Sequence, residues 1–437
     1  MSKAFVLDIG RCTGCEACVV ACANEHQLPP ERAWREVLTY NGRRFPGLPV
    51  FHLSMACNHC VRPTCRDSCP AGVYSLDGKT GAILSDTSRC LGCHYCSWAC
   101  PYDAPKFDHG DGAMRKCDFC VDRLRAGREP ACVTTCPTGA LEVEEREPLG
   151  PAVRFSGGPR SAPRQTSPAP FGTAVLDAPP KKITLRSEWA LLVFTTVASI
   201  LAAVAAASIV RPLRFGAGWF LLLGALGMTI AASHLGRPLR GWRAIWNWRR
   251  SWLSREVILF VAFLALGTGW LATQPRYPAL GAAAALAGFA TLFVIDRLYK
   301  VALHTSRWDF HSAHTLLTGA YLGSLLAGSL PAAMVAGALK LGLYLARKRR
   351  FRASGQAVHP WWSGLRLFCG FIAPPAAVLL GHSTVAAIAA VVGDLIDRAE
   401  FYAELDVVTP RLLLHRHACR YLGKVPVDSR QPGNYLV

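Results

Sequence analysis

Eighteen cysteines occur in this chain of 437 residues, and sixteen of them lie between Cys12 and Cys136. The sixteen form four quartets: Cys12, Cys15, Cys18 and Cys22; Cys57, Cys60, Cys65 and Cys69; Cys90, Cys93, Cys96 and Cys100; and Cys117, Cys120, Cys132 and Cys136. The first and third quartets share the spacing C-x2-C-x2-C-x3-C, and proline follows the last cysteine of quartets two, three and four. A C-x2-C-x2-C-x3-C-P run is the ligand pattern of bacterial ferredoxins. The sequence therefore predicts four [4Fe–4S] clusters with four thiolates each.

Ferredoxin spacing also predicts how the quartets share their ligands. The first three thiolates of a run bind one cluster, and the fourth binds the partner cluster. Quartets two and three are neighbours in sequence and should exchange their fourth cysteines, and quartets one and four should pair around them. The predicted ligand sets are Cys57, Cys60, Cys65 and Cys100; Cys90, Cys93, Cys96 and Cys69; Cys12, Cys15, Cys18 and Cys136; and Cys117, Cys120, Cys132 and Cys22. This nesting favours four clusters in a line, which suits electron transfer.

Two other uses of paired cysteines fit the pattern less well. Zinc sites also use C-x2-C pairs, but they rarely repeat as quartets that end in x3-C-P. A disulfide framework belongs to secreted proteins, and the N-terminal stretch before Cys12 does not resemble a secretory signal.

The formal net charge of +19 raises the question of nucleic-acid binding. Residues 1–145 are nearly balanced, with 16 basic and 17 acidic side chains, so the excess lies in the later part of the chain. Because no basic patch falls on a soluble domain, we do not expect nucleic acid as a partner.

Composition divides the chain into three regions. Residues 1–145 carry the cysteine quartets, with short strands expected near Phe5, Ile83 and Leu141, and predict an α+β domain of tandem ferredoxin-like units. Residues 146–186 are rich in proline and predict an irregular or extended linker. Residues 187–437 contain long apolar runs and predict an all-α membrane bundle.

About 20 apolar residues are needed for a helix to cross a bilayer. Eight spans are expected, near 189–210, 215–232, 256–273, 279–295, 312–329, 332–346, 365–381 and 383–400. The sixth and eighth are interrupted by Lys340 and Asp394. Six histidines fall near predicted span ends, so paired haem ligands inside the bundle are not expected; they are His234, His304, His311, His314, His359 and His382.

The cysteine-rich region resembles the iron–sulfur subunit of the dimethyl sulfoxide reductase family. The resemblance rests on the quartets, on the Cys-Pro-Tyr-Asp-Ala-Pro segment that begins at Cys100, and on the segment Lys116–Arg123, and it covers roughly residues 3–145. It implies a non-catalytic subunit that serves a separate catalytic chain carrying a molybdenum or tungsten pterin cofactor. The same type of subunit serves many catalytic partners, so the resemblance does not indicate the terminal substrate.

The apolar region resembles the membrane anchor subunit of the same family, which is usually a separate chain. The segments Ser233–Pro238 and Ser251–Glu256 carry this resemblance, and Gly393–Arg398 shows a weaker similarity. It implies menaquinol binding by His234 and Glu256, with Arg237 and Arg255 beside them. From the residues alone, His234 could instead cap a helix and Glu256 could pair with an arginine of the loop.

Arginines and tryptophans are dense in the loop between these two segments, where they suit a membrane interface or the docking of the iron–sulfur domain. Basic residues are more numerous on the loops that share a side with the cysteine region. This bias predicts a multi-pass protein of the cell inner membrane with the iron–sulfur domain in the cytoplasm. Many relatives carry that domain outside, so the opposite orientation stays open.

These features together predict electron transfer from menaquinol to the pterin-containing subunit, as in anaerobic respiration with dimethyl sulfoxide or related acceptors. The reverse direction, in which a formate- or hydrogenase-type dehydrogenase reduces quinone, is the alternative. A membrane scaffold with structural metal is a third hypothesis, which the x3-Cys-Pro endings disfavour.

Overall fold

The computed structural model describes residues 3–29, 32–42, 44, 48–145, 153–156, 181–213, 215–303, 311–353, 360–404, 407 and 409–421. The chain divides into two units, one formed by residues 1–180 with 408–437 and one formed by residues 181–407. We call them the cysteine-rich unit and the helical unit. The first combines small sheets with short helices and the second is all-α, which confirms the predicted fold class.

Four small sheets lie in the described part of the cysteine-rich unit. The largest has three strands, in which Lys3–Asp8 pairs antiparallel with Leu141–Glu145 and parallel with Val153–Ser156. The others are antiparallel pairs: Glu36–Tyr40 with Phe51–Met55, Tyr74–Leu76 with Ile83–Ser85, and Lys106–Asp108 with Ala113–Arg115. The three expected strands are confirmed. Val153–Ser156 lies in the predicted linker, so part of that segment is a strand of this unit.

Short helices hold many of the cysteines. The helices are Ala17–Glu25, Thr64–Ser68, Tyr95–Trp98, Val121–Arg125 and Ala131–Thr134, with a 3₁₀ turn at Thr87–Arg89. Four of the five contain at least one cysteine of a quartet, and Val121–Arg125 begins directly after Cys120. Between them lies a core that includes Phe5, Leu53 and Phe119. The cysteines are therefore held on a packed scaffold.

The C-terminal helix Pro410–Tyr421 belongs to the cysteine-rich unit. His417 Nδ1 lies 2.6 Å from the hydroxyl of Tyr40, and Arg411 forms an ion pair with Glu36 at 2.6 Å. Leu414 packs against the buried ring of Tyr40. The predicted membrane anchor, residues 187–437, includes this helix, but the helix belongs to the cysteine-rich unit, and its contact with Tyr40 joins residues 377 positions apart in the chain.

All eight predicted spans correspond to helical segments of the helical unit. They are Trp189–Val210, Ala217–Ser233, Trp252–Thr273, Pro278–Leu303, Thr315–Leu326, Leu330–Ala353, the composite Pro360–Leu379, and Ser383–Glu404. Five of these described helices are long and apolar enough to cross a membrane, or six if Ala217–Ser233 and the 3₁₀ segment Pro238–Ile245, which are bent by 109°, count as one span. Of the others, Thr315–Leu326 has only 12 residues, and Ser383–Glu404 carries several charged residues.

Small residues let the helices of this unit approach closely. A Cβ on Gly224 would lie 2.2 Å from Leu264 Cδ2, and one on Gly267 would lie 2.5 Å from the ring of Phe220. Such contacts allow aromatic side chains, including Phe260 and Phe263, to fill the core between helices. Close packing through small residues is typical of helices in membranes, where the hydrophobic effect does little to hold helix to helix.

Candidate electron-transfer and quinone sites

The sixteen quartet cysteines lie in four sets of neighbouring thiols. Cys12, Cys15, Cys18 and Cys136 line one cavity, and Cys69, Cys90, Cys93 and Cys96 line another. In the third set, Cys65 has Cys57, Cys60 and Cys100 as neighbours. In the fourth, Cys132 and Cys22 lie near Cys117, and Cys132 also neighbours Cys120. In each set, three thiols come from one quartet and the fourth comes from another, which is the arrangement that a ferredoxin-type exchange of ligands needs.

The four sets follow one another through the cysteine-rich unit. Cys18 of the first set lies near Cys132 of the fourth set. Cys117 of that fourth set lies near Cys57 of the third. Tyr74 neighbours Cys65 and also Cys69 and Cys96, and so joins the third set to the second. The four sets therefore lie in a row, in the order first, fourth, third and second.

One backbone feature repeats in all four quartets. The residue directly before the second cysteine has a positive φ, +73° at Gly14, +45° at His59, +68° at Gly92 and +68° at Phe119. This left-handed conformation turns the chain sharply between the first two cysteines. Glycine adopts it without strain, whereas His59 and Phe119 do so at a cost of about 1–3 kcal/mol each. These two rings stack on each other at 4.6 Å, which helps to hold the strained turns.

Backbone N–H groups point at several of the sulfur atoms. Cys90 Sγ accepts bonds from Gly92 and Met114 at 3.4 and 3.3 Å, and Cys117 Sγ accepts one from Phe119 at 3.4 Å. Burial raises the pKa of the Cys22 thiol to about 12, so this thiol is protonated at neutral pH until a metal binds it. N–H···S bonds to ligating thiolates raise the reduction potential of a cluster. The donor set and its surroundings fit [4Fe–4S] clusters, whose chemistry is one-electron transfer.

Two buried cations lie where neighbouring sets meet. Arg35 is only 2% exposed and lies among Cys18 and Cys22 and also Cys117 and Cys132. It donates to Ser54 Oγ at 2.8 Å, and Ser54 Oγ lies 3.3 Å from Cys18 Sγ. Lys116, equally buried, lies near Cys57, Cys65 and Cys117. Sets of thiolates are negative, so these cations offset charge that burial would otherwise disfavour.

The predicted quinone residues lie on both sides of the bend in the helical unit. His234 directly follows helix Ala217–Ser233, and its Nδ1 is buried without a hydrogen-bond partner among the described residues. Glu256 is buried in the first turns of Trp252–Thr273. No hydrogen bond or ion pair joins the two within the part of the chain that the structure describes. The predicted pair is therefore not hydrogen-bonded to each other.

The two predicted arginines also surround this bend. Arg255 donates to the carbonyl oxygens of Trp248 and Arg249 at 3.0 and 2.7 Å and lies over the Trp252 ring at 4.5 Å. It thus closes the preceding loop, and among the described residues it forms no ion pair with Glu256. Arg237 precedes the 3₁₀ segment, as its N-terminal cap residue. Of the histidines named above, His304 and His359 lie outside the described residues.

Charged side chains pair inside the helical unit. Lys340 and Arg398 both bind Asp394, at 2.7 and 2.6 Å, and Arg366 binds Asp397 at 3.0 Å. Arg347 also binds Asp397, at 2.8 Å. We call these six residues the buried ion-pair network. Since Arg347 is engaged inside the unit, it does not act as a free surface charge in the count of basic residues that predicts membrane orientation.

Comparisons with known proteins identify the cysteine-rich region. The 4Fe-4S dicluster domain family matches residues 48–146. One of the chains of the anaerobic dimethyl sulfoxide reductase of Escherichia coli is 39% identical over 146 residues, which is 32% of this chain and 71% of that protein. The protein belongs to the dimethyl sulfoxide reductase family of iron–sulfur subunits. It is thus an iron–sulfur electron-transfer protein.

Other relatives of this iron–sulfur subunit serve different enzymes. A subunit of the tetrathionate reductase of Salmonella typhimurium is 40% identical over 139 residues, 31% of this chain and 55% of that protein. The formate dehydrogenase iron-sulfur subunit of Haemophilus influenzae is 30% identical over 163 residues, 33% of this chain and 52% of that protein. Each match covers about a third of the present subunit, so similarity to these relatives does not account for the other two thirds.

Several residues that surround the thiols have no recognisable pattern in the sequence. Arg35 and Lys116 stand among ordinary surface-type residues in the sequence, and only their burial marks them. His26 lies 3.5 Å from Cys120 Sγ and 3.4 Å from Asp118 Oδ1, and its ring packs on Trp34. Because Cys120 belongs to a predicted ligand set, we interpret this trio as part of the fourth set. The spacing of the cysteines predicts which thiols group together, but it does not predict which other side chains lie beside them.

Replacing Arg35 with methionine should lower the reduction potentials of the adjacent clusters. Removal of a buried positive charge disfavours an added electron, and a charge at this range and burial changes the potential by on the order of 100 mV. Redox titration followed by electron paramagnetic resonance measures the shift. Arg11→Met is the matched control, because Arg11 adjoins Cys12 but its side chain is 53% exposed and screened by water. Equal potentials in wild type and Arg35→Met would contradict the assigned role.

Proposed function

We propose that this protein carries electrons between membrane menaquinol and a catalytic subunit that contains a molybdenum or tungsten pterin cofactor. Four [4Fe–4S] clusters, held by the sixteen quartet cysteines, would form the path. The helical unit would anchor the protein as a multi-pass component of the cell inner membrane and provide the quinone site near His234, Arg237, Arg255 and Glu256. The iron–sulfur domain would lie on the cytoplasmic side, as the distribution of basic residues favours.

The observation that carries this proposal is the gathering of sixteen thiols into four sets of four, in a row. The described residues of the same chain also include five apolar helices of spanning length. A row of closely spaced one-electron centres suits transfer from a two-electron donor to a distant partner. Family membership supports a separate catalytic subunit, because the relatives are named as single chains or subunits of reductases and dehydrogenases. Glu256 supports the quinone role, since a buried ionisable residue at a span is costly unless it serves function.

The opposite direction of electron flow is a second candidate. The relative from Haemophilus influenzae is named for formate dehydrogenase, in which the enzyme takes electrons from its substrate. In that case the same clusters would deliver electrons to quinone. The reduction potentials of the four clusters relative to menaquinone separate the two directions, because electrons flow spontaneously toward the higher potential.

Affinity purification of the full chain from solubilised membranes tests the partnership. We expect a large partner, molybdenum or tungsten, and about sixteen irons with matching acid-labile sulfide per chain. If iron is found without molybdenum or tungsten, the partner belongs to another class of enzyme than the one proposed. Zinc without labile sulfide would contradict electron transfer altogether.

Glu256→Gln should lower quinol-dependent turnover about a hundredfold, because a positioned carboxylate that accepts a proton typically contributes 10²-fold or more. Electron delivery from a reduced viologen dye to the same complex should stay unchanged, since the dye enters without quinol. The comparison of the two donors in one membrane preparation measures the effect. If both rates fall together, or neither falls, Glu256 has no specific role at the quinone site.

A further inference from the structure

A pocket at one end of the helical unit lies outside the four predicted quinone residues. All of the residues that line it belong to the helical unit. Its walls come from helices Trp189–Val210, Pro278–Leu303 and Ser383–Glu404 and from residues 311–315.

Flat aromatic side chains form much of the pocket wall. The rings of His311 and Phe401 stack at 4.2 Å with an angle of 18°, and His314 lies 4.1 Å from His311. On another part of the wall, the hydroxyls of Tyr299 and Tyr402 are 3.0 Å apart. Parallel aromatic surfaces of this kind favour a planar ring as ligand.

A fixed carboxylate and imidazole lie in the same wall. Asp296 accepts bonds from the N–H groups of Thr315 and Leu316, at 2.8 and 3.0 Å, and from Thr315 Oγ1 at 2.9 Å. Its Oδ2 lies 3.2 Å from Nδ1 of His314. These contacts fix the pair in place.

One ring nitrogen of His311 has no hydrogen-bond partner among the described residues. Its Nδ1 is buried and has no hydrogen bond there. Leaving a buried polar group without a partner is unfavourable, so this atom favours a ligand that can donate or accept a hydrogen bond.

The charges of the pocket disfavour an anionic ligand. The guanidinium of Arg398 reaches the wall, but it already binds Asp394 at 2.6 Å and Thr195 Oγ1 at 2.6 Å. Asp296 adds a carboxylate to the same wall. A neutral ligand is favoured, and its planar ring should carry hydroxyl or carbonyl groups.

We propose that this pocket binds the ring of a quinol or quinone, with Nδ1 of His311 hydrogen-bonded to a ring oxygen. This inference rests on the proposed exchange of electrons with the quinone pool and assigns the ring to residues that the sequence resemblance does not mark. Glu256 is an electrostatic neighbour of Tyr299, which lines the pocket.

Fluorescence titration with a hydroxyquinoline N-oxide, a quinol analogue whose emission is quenched on binding, tests the assignment independently of turnover. Membrane vesicles carrying the full chain are titrated for wild type, His311→Phe, Ala313→Phe, Glu256→Gln and His234→Gln. His311→Phe keeps a ring that can stack on Phe401 and removes both nitrogens, and Ala313→Phe fills the pocket. His382→Gln is the matched control, because His382 is an exposed histidine of the same unit.

Wild type and His382→Gln should bind about one analogue per chain, and the two pocket variants should bind it at least about tenfold more weakly. Unchanged affinity in both pocket variants, with weaker binding in Glu256→Gln or His234→Gln, would overturn the pocket and leave the proposed function standing. No saturable quenching in wild type would contradict the quinone role itself, and the pocket would fail with it.

Discussion

Cys69→Ser is expected to damage the cluster of Cys90, Cys93 and Cys96 and to spare the cluster of its own quartet. In the structure Cys69 shares a cavity with those three cysteines, whereas Cys65, four residues earlier, neighbours Cys57, Cys60 and Cys100. Serine replaces a soft thiolate with a hydroxyl that binds iron poorly, so the cluster should lose iron or fail to assemble. Because electrons must cross every member of a row, electron delivery should fall at least about a hundredfold.

Electron paramagnetic resonance of the reduced protein measures this, with two further variants as references. The spectrum of Cys69→Ser should lack the same signal as Cys93→Ser and should keep the signal that Cys65→Ser lacks. Cys369→Ser is the control, because Cys369 lies in the helical unit and belongs to none of the four sets. If Cys69→Ser and Cys65→Ser lose the same signal, the exchange of fourth cysteines is wrong.

The grouping of the thiols in the structure follows the local spacing of the cysteines in the sequence. Three cysteines of each set come from a single quartet. The same spacing occurs in the quartets that begin at Cys12 and Cys90, which indicates tandem units. The left-handed turn before the second cysteine occurs in every quartet, but only at Gly14 and Gly92 does the residue type favour it. His59 and Phe119 adopt the turn against their own preference, which no local pattern reveals.

Contacts between distant segments could not be predicted in this way. The C-terminal helix returns to Tyr40 and Glu36, and its sequence carries no mark of that destination. The burial of Arg35 depends on how Phe5 and Ser54 pack around it, since a lone arginine in sequence indicates a solvent-exposed side chain.

Span assignment shows the same limit in the helical unit. Lys340 and Asp394 interrupt two apolar runs, yet the two side chains bind each other at 2.7 Å and both are almost fully buried. A single charged residue is unfavourable in a buried helix, but two opposite charges that pair with each other are tolerated there. The partner lies 54 residues away, so only the folded structure joins them.

Asp397→Asn is expected to destabilise the helical unit by about 3–5 kcal/mol, the usual result of removing one partner from a buried ion pair. Asp397 is fully buried and binds both Arg366 and Arg347, at 3.0 and 2.8 Å, and it also accepts a bond from Ser312 Oγ at 2.9 Å. Arg347 retains Glu404 at 3.0 Å after the change. Arg366 is 1% exposed and has no other carboxylate partner among the described residues, so its charge would remain buried and uncompensated.

Thermal unfolding of the detergent-solubilised protein measures the loss, and a double variant shows whether charge is its cause. Asp397→Leu with Arg366→Met removes both charges and keeps apolar volume, and replacement of a whole buried pair by apolar residues is often neutral. The double variant should therefore recover most of the stability that Asp397→Asn loses, with the coupling obtained from a double-mutant cycle that includes both single variants. If the double variant is as unstable as the sum of its singles, the cost comes from lost packing or from the Ser312 and Arg347 contacts, and the uncompensated charge of Arg366 is not the cause.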